Sequence, residues 1–182
     1  MEEIKNNTEE LLIAGAIAYI SKYGYQNLSV RKFTKEINMT TGAFYKHFKD
    51  KQELYNTTLK ILSHKFIEQM PDMSNKSSLD QLIELSQYFI GQAEKNPNIM
   101  TFILFTESNA THILGSNVDG CTLRVKFLEL AKELNHSQLS DEDFFLQIWS
   151  FVQGYLLLVK NGLAKYNPKL VEHTILQLVK EK

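Results

Sequence analysis

Cysteine is almost missing from this chain. Cys121 stands alone, which excludes an intrachain disulfide framework and a multi-thiolate metal site and suits a reducing compartment. Three prolines and eight glycines in 182 residues leave few turn-makers, so long helices are expected in place of a sheet of short strands. The fold class read from this is all-α. Long apolar runs are also lacking: residues 144–159 are the richest, and Gln147, Ser150, Gln153 and Gly154 interrupt them well short of a membrane span. The first residues are acidic and then amphipathic, without a basic leader, so the sequence predicts no signal peptide and a cytoplasmic location. Catalytic signatures are absent as well. There is no Gly-x-Ser-x-Gly elbow, phosphate loop or His-x-x-x-His pair, and His64, His136 and His173 are isolated from one another. Neither an enzyme nor a metal or cofactor site is expected.

What the chain does have is apolar content and segregated charge. At 43% hydrophobic residues it can bury a core. A net charge of −1 hides an asymmetry: residues 1–66 carry ten Lys or Arg against seven Asp or Glu, and the rest ten against fourteen. Four of those seven acids precede residue 11, so residues 11–66 stand at nine against three, or +6. A basic segment on a near-neutral protein is the electrostatic footprint of nucleic-acid binding. The plainer alternative is a solvated basic face on a helical interaction module that binds no DNA.

Residues 28–55 organise the rest. Leu28, Val30, Phe33 and Ile37 fall on one helical face, with Ser29 placed to cap the first turn. Asn38 stands where the chain must reverse, and Asn tolerates the left-handed conformation. Thr40 caps a second short helix, expected to run to Phe48, that turns Phe44 and Phe48 inward. Helix, tight turn, helix is the unit that lays its second helix in the major groove of DNA. Tyr45, His47 and Lys51 are candidates for phosphates, joined by the hydroxyls of Ser29 and Thr40. Thr41, Gly42, Ala43 and Lys46 are candidates for base edges: Gly42 permits close approach, the Ala43 methyl suits a thymine methyl, and Lys46 suits guanine. Arg31 suits a base or a narrow groove.

The segment resembles the DNA-binding domain of the TetR family of bacterial repressors. The resemblance rests on Gly24-Tyr25, on Leu28-Ser29-Val30-Arg31, on Met39 to Phe48 with its Gly-x-Phe-Tyr-x-His-Phe string, and on Lys51 and Leu54. Thr34, Ile37-Asn38 and Met39 depart from the Ala, Ala-Gly and Val usual there. The resemblance implies phosphate contacts by Tyr45, His47 and Lys51. It also implies dimerisation through the last two long helices. A Trp-x-x-x-His-Gly string common in the family is Trp149 with Gln153-Gly154 here, so that histidine's role does not carry over.

Taken in order, Asn7 with Glu10 suggests a capping box opening helix one, whose apolar face is Leu12, Ile13, Ala16, Ile17 and Ile20, and Gly24 closes it. Asp50 and Glu53 open a fourth helix towards Met70, the expected link by which a second domain swings the recognition helix. Pro71 to Ser78 reads as the boundary. The expected division is a helix-turn-helix domain at 1–50, a linking helix at 51–70, and a helical ligand-binding and dimerisation domain at 71–182, about nine helices in all. Helices are expected from Leu79 to Lys95, from Pro97 to Phe105, around Leu123 to Leu134, after the Ser140 cap, and from Asn167-Pro168, with a flexible stretch at Gly115 to Gly120. Tyr88, Phe102, Phe105, Phe127 and Trp149, together with Phe89 and Tyr155, make an aromatic interior with His112, Gln153 and Asn109 as polar partners, suited to a hydrophobic effector or simply to a core. The helix from Phe144 is apolar nearly all round and must be covered all round. Phe151, Tyr155, Leu158, Val171, Ile175 and Leu178 are the expected homodimer contacts. A dimer places two recognition helices one turn of DNA apart on a palindromic operator of double-stranded DNA.

Overall fold

The computed structural model describes residues 2–106 and 122–180, with side chains for 7–106 and 125–180. Among the described residues there are nine helices and no strand. They are α1 (Glu2–Tyr23), α2 (Val30–Glu36), α3 (Thr41–Tyr45), α4 (Lys51–Glu68), α5 (Ser78–Lys95), α6 (Pro97–Phe105), α7 (Thr122–Leu134), α8 (Asp141–Lys160) and α9 (Pro168–Lys180). The stretch from Gly115 to Gly120 lies outside the described residues. Two compact units result. Residues up to 65 group with those from 98, and residues 66–97 group with those from 122. The α4 helix is continuous across the division at 65 and 66.

Local chemistry explains most helix ends. Ser29 Oγ accepts the Lys32 N–H at 3.3 Å, Thr40 Oγ1 the Ala43 N–H at 3.0 Å, and Ser140 Oγ the Asp143 N–H at 3.1 Å. Asp50 Oδ1 accepts the Glu53 N–H at 2.9 Å, while Glu53 Oε2 reaches back to the Lys49 N–H at 2.6 Å, one residue before the expected box partner. Gly24 ends α1 at φ +77°, and Asn38 makes the reversal at φ +54°. Two expectations fail here. The α1 helix starts at Glu2, so Asn7 and Glu10 sit inside it and cap nothing; residues 2–6 contain neither Gly nor Pro to stop it. And α3 stops at Tyr45, because the Phe44 carbonyl accepts both the His47 and the Phe48 N–H at 3.0 Å and tightens the chain into a turn.

The first unit closes around aromatic rings. Phe33, Phe44 and Phe48 are buried with Tyr19, and Phe33 meets Tyr19 and Phe44 edge to face at 6.0 and 6.4 Å. One unforeseen residue shapes this packing. A Cβ on Gly15 of α1 would lie 2.8 Å from Ile37 Cγ2, so the glycine makes room for the large residue at the turn. Also in this unit, the Tyr55 hydroxyl donates to the Tyr25 carbonyl, and the Tyr25 hydroxyl donates to the Phe105 carbonyl at 3.0 Å. Asn98 Nδ2 donates to the Ser21 carbonyl at 2.9 Å, so α6 is tied to the helix-turn-helix segment by both its ends.

The second unit packs α7, α8 and α9 around α5. Its centre is Trp149, whose ring lies 5.1 Å from Phe127, 5.5 Å from Phe89 and 5.9 Å from Phe145. The α8 helix is buried along Phe144, Phe145, Ile148, Trp149, Val152, Tyr155, Leu156 and Val159. The Tyr155 hydroxyl donates to the Lys165 carbonyl and accepts the Asn167 N–H, both at 2.8 Å, and so holds the turn into α9. Val171 and Ile175 of α9 are fully buried inside the chain itself. They hold the helix down and present nothing to a partner.

Candidate nucleic-acid interface

The site is built on α3 and its two flanks. Phe44 and Phe48 point inward with no and 2% exposure, so the remaining faces of a five-residue helix must point out. Thr41, Gly42, Tyr45 and Lys46 are all exposed, Tyr45 at 59%, and Ala43 is half-buried. Ser29, Arg31 and Thr40 are exposed at the edges of the same unit. Two of these hydroxyls are engaged as caps, which leaves each oxygen at the surface with its helix N-terminus beside it. Lys32, Lys35 and Lys49 are exposed too and add positive charge around the named residues.

Gly42 is informative because the fold does not require it. A Cβ there would meet only Thr40 Oγ1, at 3.8 Å, and its φ lies outside the left-handed region. Glycine inside a helix costs up to about 1 kcal/mol against alanine, and the packing around Gly42 leaves room for a methyl group.

His47 and Lys51 differ from the exposed residues. The His47 side chain is only 6% exposed, and its Nδ1 is buried without a hydrogen-bond partner. Lys51 Nζ lies over the Tyr55 ring, 5.5 Å from its centre. Burial pushes the Tyr55 phenol far above its usual range, so it remains a neutral donor to the Tyr25 carbonyl.

The effector residues named from sequence fall in both units. Tyr88, Phe127, Trp149 and Gln153 belong to the second unit, Phe102 and Phe105 to the first. His112 and Asn109 lie outside the described residues. Phe127 and Trp149 are core, filled by their own ring contacts. Tyr88 lines a surface groove of about 440 Å³ with Lys76, Glu84, Gln87 and Tyr166, where burial raises both phenols. Of the expected dimer contacts, Leu158 is 46% exposed, and Phe151 and Leu178 are half-buried.

Comparison with known proteins follows from this geometry. A profile of bacterial regulatory proteins of the tetR family matches residues 12–58, which takes in α2, α3 and their caps. Residues 12–58 therefore carry a DNA-binding domain of the tetR-family type. The Transposon Tn10 TetC protein of Escherichia coli is 30% identical over 99 residues, covering 52% of this chain and 50% of that one. The nucleoid occlusion factor SlmA of Sodalis glossinidius is 22% identical over 174 residues, 90% of this chain and 88% of the other. Among solved structures, a TetR-family transcriptional regulator of Haemophilus influenzae superimposes with a TM-score of 0.63 at 18% identity, over 97% of both chains. The regulator FadR of Bacillus subtilis in complex with stearoyl-CoA gives 0.59 at 20%, over 93% of this chain and 96% of that one. The chain shares the all-helical fold of these solved structures, with the tetR-type module at residues 12–58. Among its described residues no helix is long and apolar enough to cross a membrane, and no group of three metal-ligating side chains is present.

Proposed function

We propose that this chain is a homodimeric, cytoplasmic, one-component transcriptional repressor, released from a palindromic operator by a small hydrophobic effector. The observation that carries the DNA reading is the row Thr41, Gly42, Tyr45 and Lys46, turned outward by the burial of Phe44 and Phe48. In this reading residues 1–50 bind DNA, 51–70 link, and 71–182 bind effector and partner, with Ser29, Arg31, Thr40, Thr41, Gly42, Ala43, Tyr45, Lys46, His47 and Lys51 on the DNA.

Two further features support it. On α8, Leu146 and Leu158 are exposed, and a Cβ on Gly154 would meet nothing within 4 Å. With exposed Leu170 of α9 they leave an apolar surface on the two helices expected to meet a second copy. The continuity of α4 gives a change in the second unit a covalent route to the recognition segment, and the hydrogen bonds that tie α6 to Tyr25 and to the Ser21 carbonyl give a second route. An effector has to open the cluster of Phe89, Phe127 and Trp149, and the stearoyl-CoA bound by the similar FadR makes long-chain acyl compounds the first probes.

The test is binding to the DNA beside the protein's own gene across a salt series, against scrambled DNA. Sequence-selective binding by two subunits, weakening steeply with salt, is the expected result. Gly42→Ala sharpens it: the variant is expected to fold at least as stably and to bind DNA more weakly, and unchanged affinity would refute close approach at this position. A helical module without DNA binding would show no selectivity and no loss on replacing Lys46 and Lys51. Effector saturation that left operator affinity unchanged would refute the coupling.

A further inference from the structure

An acidic residue stands behind the proposed DNA contacts. Glu9 of α1 places Oε2 3.9 Å from Nδ1 of His47, 38 positions away in sequence. That nitrogen is buried and has no hydrogen-bond partner, whereas Nε2 is the ring nitrogen left at the surface. Glu9 is 43% exposed and has no other partner among the described residues. A carboxylate this close to a phosphate site opposes DNA unless it acts through the ring between them.

The two ring nitrogens have linked roles. An imidazole that gives its Nδ1 proton to a carboxylate presents a bare, accepting Nε2 when neutral, and a phosphate oxygen offers no proton to it. Both nitrogens donate only in the imidazolium. We propose that Glu9 and a DNA phosphate clamp the His47 ring from opposite sides, so that DNA binding takes up one proton there. No bond to carbon, oxygen or phosphorus changes; the proton comes from solvent to the free ring nitrogen and leaves on dissociation. Glu9 is a positioning residue, and the inference rests on the reading that His47 Nε2 meets a phosphate.

Other charged groups around the ring do not replace Glu9. On α1 there is also Glu10, which is exposed and makes no ion pair with the ring. Along the ring's own stretch lie Tyr45, Lys46, Lys49 and Asp50, and at the start of α4 Lys51 and Glu53. The Asp50 and Glu53 carboxylates accept backbone N–H groups as caps. Histidine is the side chain whose charge changes near neutral pH.

The experiment measures affinity for a selected operator between about pH 6.5 and 8 at fixed salt, for wild type, Glu9→Gln, His47→Gln and the double variant. Melting temperatures show that each is folded. In the wild type, affinity of the dimer is expected to fall with rising pH, approaching a hundredfold per unit, the limit for one linked proton on each of its two rings. Glu9→Gln and His47→Gln should each flatten the profile, and the double variant should be no flatter than His47→Gln. Glu9→Gln is also expected to bind more weakly at pH 6.5, although it removes a negative charge near DNA. If His47→Gln weakens binding but Glu9→Gln keeps the wild-type profile, the clamp is overturned and the phosphate contact stands. If His47→Gln changes nothing, both fall. A flat wild-type profile with a weakened His47→Gln overturns proton uptake alone.

Discussion

Two exposed faces of this molecule carry residues that ordinary solvent exposure does not explain, and they are opposite in kind. The α3 face is polar and basic, with Thr41, Tyr45 and Lys46 around a glycine. The α8 and α9 helices leave apolar side chains exposed, Leu146 and Leu158 on α8, which also carries the open glycine Gly154, and Leu170 on α9. Neither glycine relieves a clash within the chain, since Gly42 has only Thr40 Oγ1 within 4 Å and Gly154 has nothing. Gly15 is the contrasting case. It also lies inside a helix, but a Cβ there collides with Ile37, so this glycine is required by the chain's own packing. The difference separates a glycine that the chain's own packing requires from two glycines that it does not.

The strongest way to break the comparison is Phe44→Ala. Deleting a fully buried ring costs about 3–5 kcal/mol and should abolish DNA binding. Trp149 is the chain's single tryptophan and sits in the second unit, so its emission should stay unchanged while the first unit melts. A shifted emission would show that the two regions do not hold their structure separately. Next comes Leu158→Glu with Leu146→Glu, which should leave helicity intact and reduce the sedimenting mass to that of one chain; a mass that does not change with the variant would remove this apolar face from the interface. Gly15→Ala is a smaller effect. Helix propensity favours it by about 1 kcal/mol, overpacking against Ile37 costs about 1–3 kcal/mol, and a net loss in melting temperature is expected. Adding Ile37→Ala should recover the gain from alanine, and no recovery would refute the contact.

The smallest effect concerns Glu36. The Tyr23 hydroxyl at 2.9 Å, and then Lys22 at 3.3 Å, hold its carboxyl below the usual range. A lowered value in the folded state stabilises at neutral pH, and that contribution disappears as pH falls through it. Wild type should therefore melt slightly higher than Glu36→Gln at about pH 6, with the gap closing towards about pH 3. A constant gap would mean that ionisation of Glu36 contributes nothing.

The helix-turn-helix was legible because its signals are local. Ser29, Thr40 and Asp50 bond to N–H groups three residues on, and Asn38 carries its own turn. Aromatic residues in the second half were harder to read. Periodicity marks Phe127 and Trp149 as inward-facing but does not say whether they meet each other, and their rings lie 5.1 Å apart. The same ambiguity put Val171 and Ile175 on an outer face, although α5 and α9 bury them within one chain.

By itself the sequence determined the all-helical class, the helix ends set by caps, and the basic helix-turn-helix segment, because each follows from residues within a few positions of one another. Only the tertiary structure decided that α6 bonds to Tyr25, that Gly15 accommodates Ile37, that Glu9 stands at His47, and which leucines of α8 stay outside. Those relations join residues that are distant along the chain. They exist only once packing has chosen, among many apolar and charged faces of similar composition, which ones meet.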